Sequence, residues 1–228
     1  MSQPDLNARN KAAWEKLYAA TSDSVWGRTP VGFLAHHLPT PGQLPAGDVL
    51  DAAAGEGRNL PPLLALGRTV VACDSSPAAL AKIPAAIRAR VETLACDLAH
   101  VPIGAGKFAL ILLSDVVETL PDAVAVLLEM RRLLAPDGVL LVNIPGDDDG
   151  VAGVEMEAAG DRGWLYRGRY YYKFHSREEA ESLLRAAGLQ VLSCEPCAWE
   201  EEPHPEFRDS THTHRSFVLL ARRPVISP

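Results

Sequence analysis

A chain of 228 residues, 47% apolar and 22% charged, can bury one sizeable core and has the make-up of an ordinary globular protein. Its net charge of −7 argues against a non-specific nucleic-acid binder, and no apolar run approaches the ~18 residues of a membrane-spanning helix. The polar start Met1-Ser2-Gln3-Pro4-Asp5 lacks the apolar stretch of a signal peptide. The four cysteines include one lone C-x-x-C, Cys194 and Cys197, and fit reduced thiols, so a cytoplasmic location is expected.

Residues 6–18 carry Leu6, Trp14, Leu17 and Tyr18 at near-helical spacing and are expected to form an amphipathic helix. A loop over 21–30 holds Trp26 and Arg28, a short helix is expected over 31–38, and 39–47 is a Pro/Gly connector. From there strands and helices alternate. Strands are expected at 49–51, 69–73, 91–95, 108–113 and 139–144, the last two almost wholly apolar, as burial on both faces requires. Helices are expected at 60–66, 77–82 and 122–134. Pro61 and Pro62 sit in a first turn, where their missing N–H groups cost nothing. This alternation gives an α/β class, doubly wound parallel sheet. A long connection over 146–175 follows, acidic at Asp147–Asp149 and rich in aromatics. A helix over 176–187 opens with the capping box Ser176-x-x-Glu179, and strands at 189–194 and 216–221 close the chain as an antiparallel pair.

The chemistry concentrates where the first strand meets its helix, in Leu50-Asp51-Ala52-Ala53-Ala54-Gly55-Glu56-Gly57-Arg58-Asn59. Small residues let backbone approach a ligand, and a helix start aims free N–H groups at it, as in a nucleotide-type cofactor site. Asp74 follows the second strand, where an acid can accept from two ribose hydroxyls; Asp97 follows the third, where a carboxylate can accept from an adenine amine. The dinucleotide pattern G-x-G-x-x-G would need a third glycine or alanine at Leu60, and no G-x-x-x-x-G-K-[ST] is present.

With Val71-Ala72-Cys73-Asp74-Ser75-Ser76, Ala95-Cys96-Asp97-Leu98, Leu133-Leu134-Ala135-Pro136-Asp137-Gly138-Val139-Leu140 and Phe174-His175-Ser176, the chain resembles class I S-adenosylmethionine-dependent methyltransferases acting on small molecules. Ala53 departs from the family's usual first glycine. The resemblance implies a Rossmann-like sheet of about seven strands, mostly parallel with an antiparallel last strand. It also implies one domain over 1–228, with an N-terminal helical arm over 1–45 and a substrate-covering insertion over 146–175. S-adenosylmethionine is the implied cofactor. Asp51, Ala53, Gly55 and Gly57 would serve its methionine end, Asp74 and Ser75 its ribose, Asp97 and Leu98 its adenine, and Ser114 the sulfonium, with Asn59 also among the cofactor-binding residues. Trp26 and Arg28 resemble the arm that closes over the cofactor carboxylate.

A closing antiparallel strand starts at the cofactor edge, so His212 and His214, sharing one face, are candidate catalytic residues, as are His175 and Tyr172 from the insertion. Asp147–Asp149 and Glu200–Glu202 read as solvated charge runs, and no metal is expected. Position 114 onward reads Ser114-Asp115-Val116-Val117, unlike the [NDS]-P-P-[YFW] of nucleic-acid amino-methyltransferases. The expected partner is a small molecule, with no nucleic acid or membrane, for a monomer or homodimer. The alternatives are a non-catalytic S-adenosylmethionine-binding protein and a protein side-chain methyltransferase.

Overall fold

The computed structural model describes residues 3–160, 162–204 and 207–224, so both ends of the expected 1–228 span lie outside the described residues. The described residues form ten strands: β1 Asp48–Ala52, β2 Val70–Asp74, β3 Glu92–Ala95, β4 Phe108–Leu113, β5 Leu134–Pro145, β6 Met156–Ala158, β7 Trp164–Tyr166, β8 Tyr170–Tyr172, β9 Gln190–Glu201 and β10 His212–Arg222. Seven of them form a sheet ordered β3-β2-β1-β4-β5-β10-β9, in which β1 to β5 pair in parallel and β10 runs antiparallel to both neighbours. The order reverses beside β1, which places a crevice at the carboxyl ends of β1 and β4, the usual ligand site of such sheets.

Side-chain alternation along β4 explains the layers. Ile111 and Leu113 face helices α6 (Ala123–Leu133) and α7 (Arg177–Ala186), meeting Leu127, Met130 and Leu184. Leu110 and Leu112 face the other side, toward α2 (Leu34–His37) and α3 (Leu60–Leu64). Between them, α4 (Pro77–Ala81) is capped by Ser76, and the Ser176–Glu179 capping box opens α7 as its sequence demands. A further turn of helix, α5, spans Ala85–Arg88. No helix of the described residues is long and apolar enough to cross a membrane.

Two regions differ from the sequence expectation. The final strands are longer than their apolar cores, because β9 and β10 pair on as far as His212 with Glu201. The long connection contains a second sheet, β6-β7-β8. Its pairs Trp164–Tyr172 and Tyr166–Tyr170 put four aromatic rings on one face. That face meets helix α1 (Gln3–Ala20): the Trp14 and Tyr170 rings lie 4.6 Å apart and those of Trp14 and Phe207 5.4 Å. Asn10 fixes the contact by donating to the Thr119 carbonyl at 2.7 Å and accepting from the Tyr171 N–H at 3.0 Å.

The turn out of β1 is left-handed at Ala53, with φ of 64°. Ala53→Gly should therefore raise stability in urea unfolding by about 0.5–1 kcal/mol, the left-handed penalty less the entropy glycine adds to the unfolded chain. Ala53→Val should lower it.

Candidate active site

The glycine loop is built by close approach. At Gly57, with φ of 80°, a Cβ would stand 2.7 Å from Leu60 Cδ1. At Gly55, a Cβ would stand 3.2 Å from the Tyr18 hydroxyl. The Gly55 N–H donates to Asp74 Oδ2 and the Ser76 N–H to Asp74 Oδ1, each at 2.8 Å. These bonds aim the Asp74 carboxylate into the crevice; burial raises its pKa and the N–H groups oppose the rise. Asp51 lies beneath the loop, 1% exposed, with one carboxylate oxygen unpartnered. Burial, and then the charge of Asp74, push it up to about 8. Asp97 accepts from the Ala99 N–H at 3.0 Å and pairs with Lys11 of α1.

The arm is tied to this loop by Glu56, 2% exposed, which accepts from the Ser24 hydroxyl and the Val25 N–H at 2.8 Å each and from the Trp26 N–H at 3.3 Å. The Trp26 indole in turn donates to the Tyr18 hydroxyl at 2.7 Å. A cleft open to solvent runs from Asp97 past Asp74 to the start of β10.

Most expected site residues line this cleft: Ala53, Gly55, Asn59, Asp74 and Ser75 at the first two strand ends, Asp97 and Leu98 at the third, and Ser114 at the fourth. Trp26, Tyr172, His212 and His214 complete it from the later chain and the arm. Four do not line it. Gly57 shapes the loop and Asp51 lies below it. Arg28 donates to the Glu56 and Lys82 carbonyls at 3.3 Å. His175 is 5% exposed and bridged to Gly146, and burial pushes it down to about 4.

The acceptor end holds groups the sequence did not single out. Arg58 donates to Asp115 at 2.8 Å and to both oxygens of Glu201 at 3.2 and 3.3 Å. Burial opposes its charge, but the two carboxylates outweigh that and raise its pKa. Asp115, at φ of 52°, is fixed in turn by Asn143, which accepts from its N–H at 2.8 Å and donates to its carboxylate at 2.7 Å.

His214 Nδ1 lies 3.2 Å from Asp149 Oδ2, and that carboxylate also accepts from the Arg215 and Val151 N–H groups. Burial works against the imidazolium, but the Asp149 bond and charge outweigh it and raise the His214 pKa. Gly150 makes this possible, since a Cβ there would strike the Thr213 carbonyl. Asp149 and Glu201 correct the reading of two solvated charge runs: both carboxylates are enclosed, at 0% and 13% side-chain exposure. Strand parity with Trp199 was a signal for Glu201; nothing in the local sequence marks Asp149. Cys194 and Cys197 pack in opposite layers of the sheet. Among the described residues no cluster of three or more His, Cys, Asp or Glu is arranged to hold a metal.

Residues 50–142 match the methyltransferase domain family. The chain therefore carries a methyltransferase domain over residues 50–142. A probable S-adenosylmethionine-dependent methyltransferase of Mycobacterium tuberculosis is 31% identical over 100 residues, 44% of this chain and 36% of that protein. The ubiquinone biosynthesis O-methyltransferase of Cereibacter sphaeroides is 31% identical over 152 residues, 63% of this chain and 60% of that protein. The chain thus spans only part of the length of these relatives. The fold matches that of the 1,6-didemethyltoxoflavin-N1-methyltransferase of Burkholderia thailandensis with a TM-score of 0.67 at 21% identity, over 99% of this chain and 92% of that one.

Glu56→Ala should strand the Val25 and Trp26 N–H groups and cost about 2–3 kcal/mol. Limited trypsin digestion should then cut the arm after Arg28 sooner than in the wild type.

Proposed function

We propose that this protein is an S-adenosylmethionine-dependent methyltransferase whose acceptor is a small molecule. The observation that carries the reading is the pairing of Asp74, aimed by two backbone N–H groups, with Asp51, a buried carboxyl that lacks a partner. An adenosyl ligand with a cationic amino group supplies partners for both. The residues therefore fit the cofactor: Asp51 for the amino group, Asp74 for the ribose, Asp97 and Leu98 for the adenine, and Ser114 near the sulfur. When bound, S-adenosylmethionine supplies a methyl carbon activated by a positive sulfur.

The rest belongs to the chain. With Nδ1–H donated to Asp149, neutral His214 has an unprotonated Nε2, a base for an acceptor O–H or N–H. Tyr172 is held protonated by burial and the nearby Glu118, so its hydroxyl serves as a donor. His212, lowered by burial, stays neutral, and its Nδ1 pairs with the Ser210 carbonyl at 3.0 Å. The aromatic face of β7 and β8 covers this end and excludes water. The same reading places the whole chain in one domain, with residues 1–45 as an arm and 146–175 as a cover. It gives a cytoplasmic monomer or homodimer without nucleic-acid partners.

Calorimetry should show S-adenosylhomocysteine binding, and Asp74→Ala should weaken it roughly 100-fold, about 3 kcal/mol for two lost charge-assisted hydrogen bonds. No binding by the wild type would overturn the proposal, and labelled methyl transfer into a small product separates an enzyme from a mere binder. The rate should rise with pH through a pKa above 6.5, as His214 loses its proton. Asp149→Asn removes the group that holds that proton, so the rising limb should move to lower pH while kcat falls, as a pH–rate profile would show.

A further inference from the structure

At the β10 end of the cleft the carboxylates other than Glu118 already have partners. Asp115 and Glu201 share Arg58, and Asp149 accepts from His214 and from the Arg215 and Val151 N–H groups. Glu118 is 5% exposed with one oxygen unpartnered, and burial, then the charge of Asp115, push its pKa up. Among the described residues that line the cleft, one arginine is left without a carboxylate. Arg208 lines the cleft at 7% exposure, with its guanidinium 4.8 Å from the centre of the Tyr166 ring. Among the described residues no carboxylate lies within ion-pair distance of it.

Its position is built. Tyr166 is fixed by donating to the Phe207 carbonyl at 2.7 Å, and the chain closes tightly around Arg208 through paired backbone bonds with His204 at 2.6 and 2.7 Å. A guanidinium taken out of water without an anion is costly, and a ring face repays only part of that cost. Its planar fork matches a carboxylate.

We propose that Arg208 is a recognition site for a carboxylate on the methyl acceptor, and that the acceptor is an aromatic acid. The acid group sits on Arg208, and the ring lies against Tyr172, Phe174 and Phe207, which line the same cleft. This leaves the far side of the acceptor to face His214. The proposal rests on the methyltransferase reading.

The test uses benzoate, benzamide and benzylamine as probes, with affinities read by saturation-transfer NMR on the wild type saturated with S-adenosylhomocysteine. Benzoate should bind at least tenfold tighter than benzamide, and benzylamine weakest. Arg208→Gln should erase the preference for benzoate, Arg208→Lys should keep part of it, and both should bind S-adenosylhomocysteine within twofold of the wild type. The proposal is overturned if benzamide or benzylamine equals benzoate, or if no probe binds. It is likewise overturned if Arg208→Gln weakens S-adenosylhomocysteine and spares benzoate, which would give Arg208 to the cofactor's carboxylate. Should Arg208→Gln not fold, Arg208→Lys with unchanged benzoate affinity and unchanged discrimination against benzamide overturns a fork-dependent site. Failure of the wild type to bind S-adenosylhomocysteine sinks the underlying reading instead, and is seen before any probe is added.

Discussion

The cleft is organised around the buried guanidinium of Arg58. It lies in the glycine loop after β1, yet its two carboxylate partners come from the end of β4 and the end of β9. With 13% side-chain exposure it is largely removed from water, so both pairings are needed to offset desolvation. Three elements distant in sequence are thereby held to one geometry. The loop that meets the cofactor cannot shift without moving Asp115, and Asp115 cannot shift without moving Asn143 of β5. Glu201 carries the same constraint to Trp199, whose indole donates to it at 3.0 Å, and so to the wall against which His214 packs.

A doubly wound sheet gathers acids at one edge, and that edge has an electrostatic problem. Asp51, Asp74, Asp97 and Asp115 end four strands in turn. Three are relieved by different means: backbone N–H groups for Asp74, Lys11 for Asp97 and Arg58 for Asp115. Asp51 keeps one oxygen unpartnered, and burial, then the repulsion of Asp74, outweigh the help of Arg58 and push its pKa up to about 8. Binding of a cation there relieves both the burial and the repulsion, which makes the empty site a poor environment for the charge and a good one for a cationic ligand.

The donor half was legible because its signals are local. Strand, glycine turn and helix start fall within a few residues, and Asp74 and Asp97 each follow an apolar run that marks a strand end. Ala53 stands where the resembled family usually has a glycine, and the turn there is left-handed. The acceptor half was not legible because its signals are non-local. Asp149 reads as one of three consecutive acids. Only the press of Gly150 against β10 turns it inward to His214. Glu201 reads as one of another such run; parity with Trp199 hints at its face only once β9 is known to run on to the register opposite His212. His175 shows the converse: a histidine flanked by aromatics suggested a pocket, and a bridge to Gly146 instead closes it into the protein.

That division has a mechanical consequence. Trp14 of α1, Trp26 of the arm, Tyr170 of β8 and Phe207 form a single aromatic cluster that borders the cleft. None of these four lies in the seven-stranded sheet, so their contacts are with one another more than with the rigid scaffold. Aromatic packing of this kind tolerates changes of shape more readily than the loop around Arg58, whose hydrogen bonds are directional. The two halves of the site therefore obey different rules. On the proposed reading the donor half would fix one ligand by geometry, whereas the acceptor half would enclose its ligand by surface and distinguish it by the few charges that protrude. On that reading, with the described carboxylates of that half partnered or buried, the sign of the selection would fall to Arg208, in a chain whose net charge is −7.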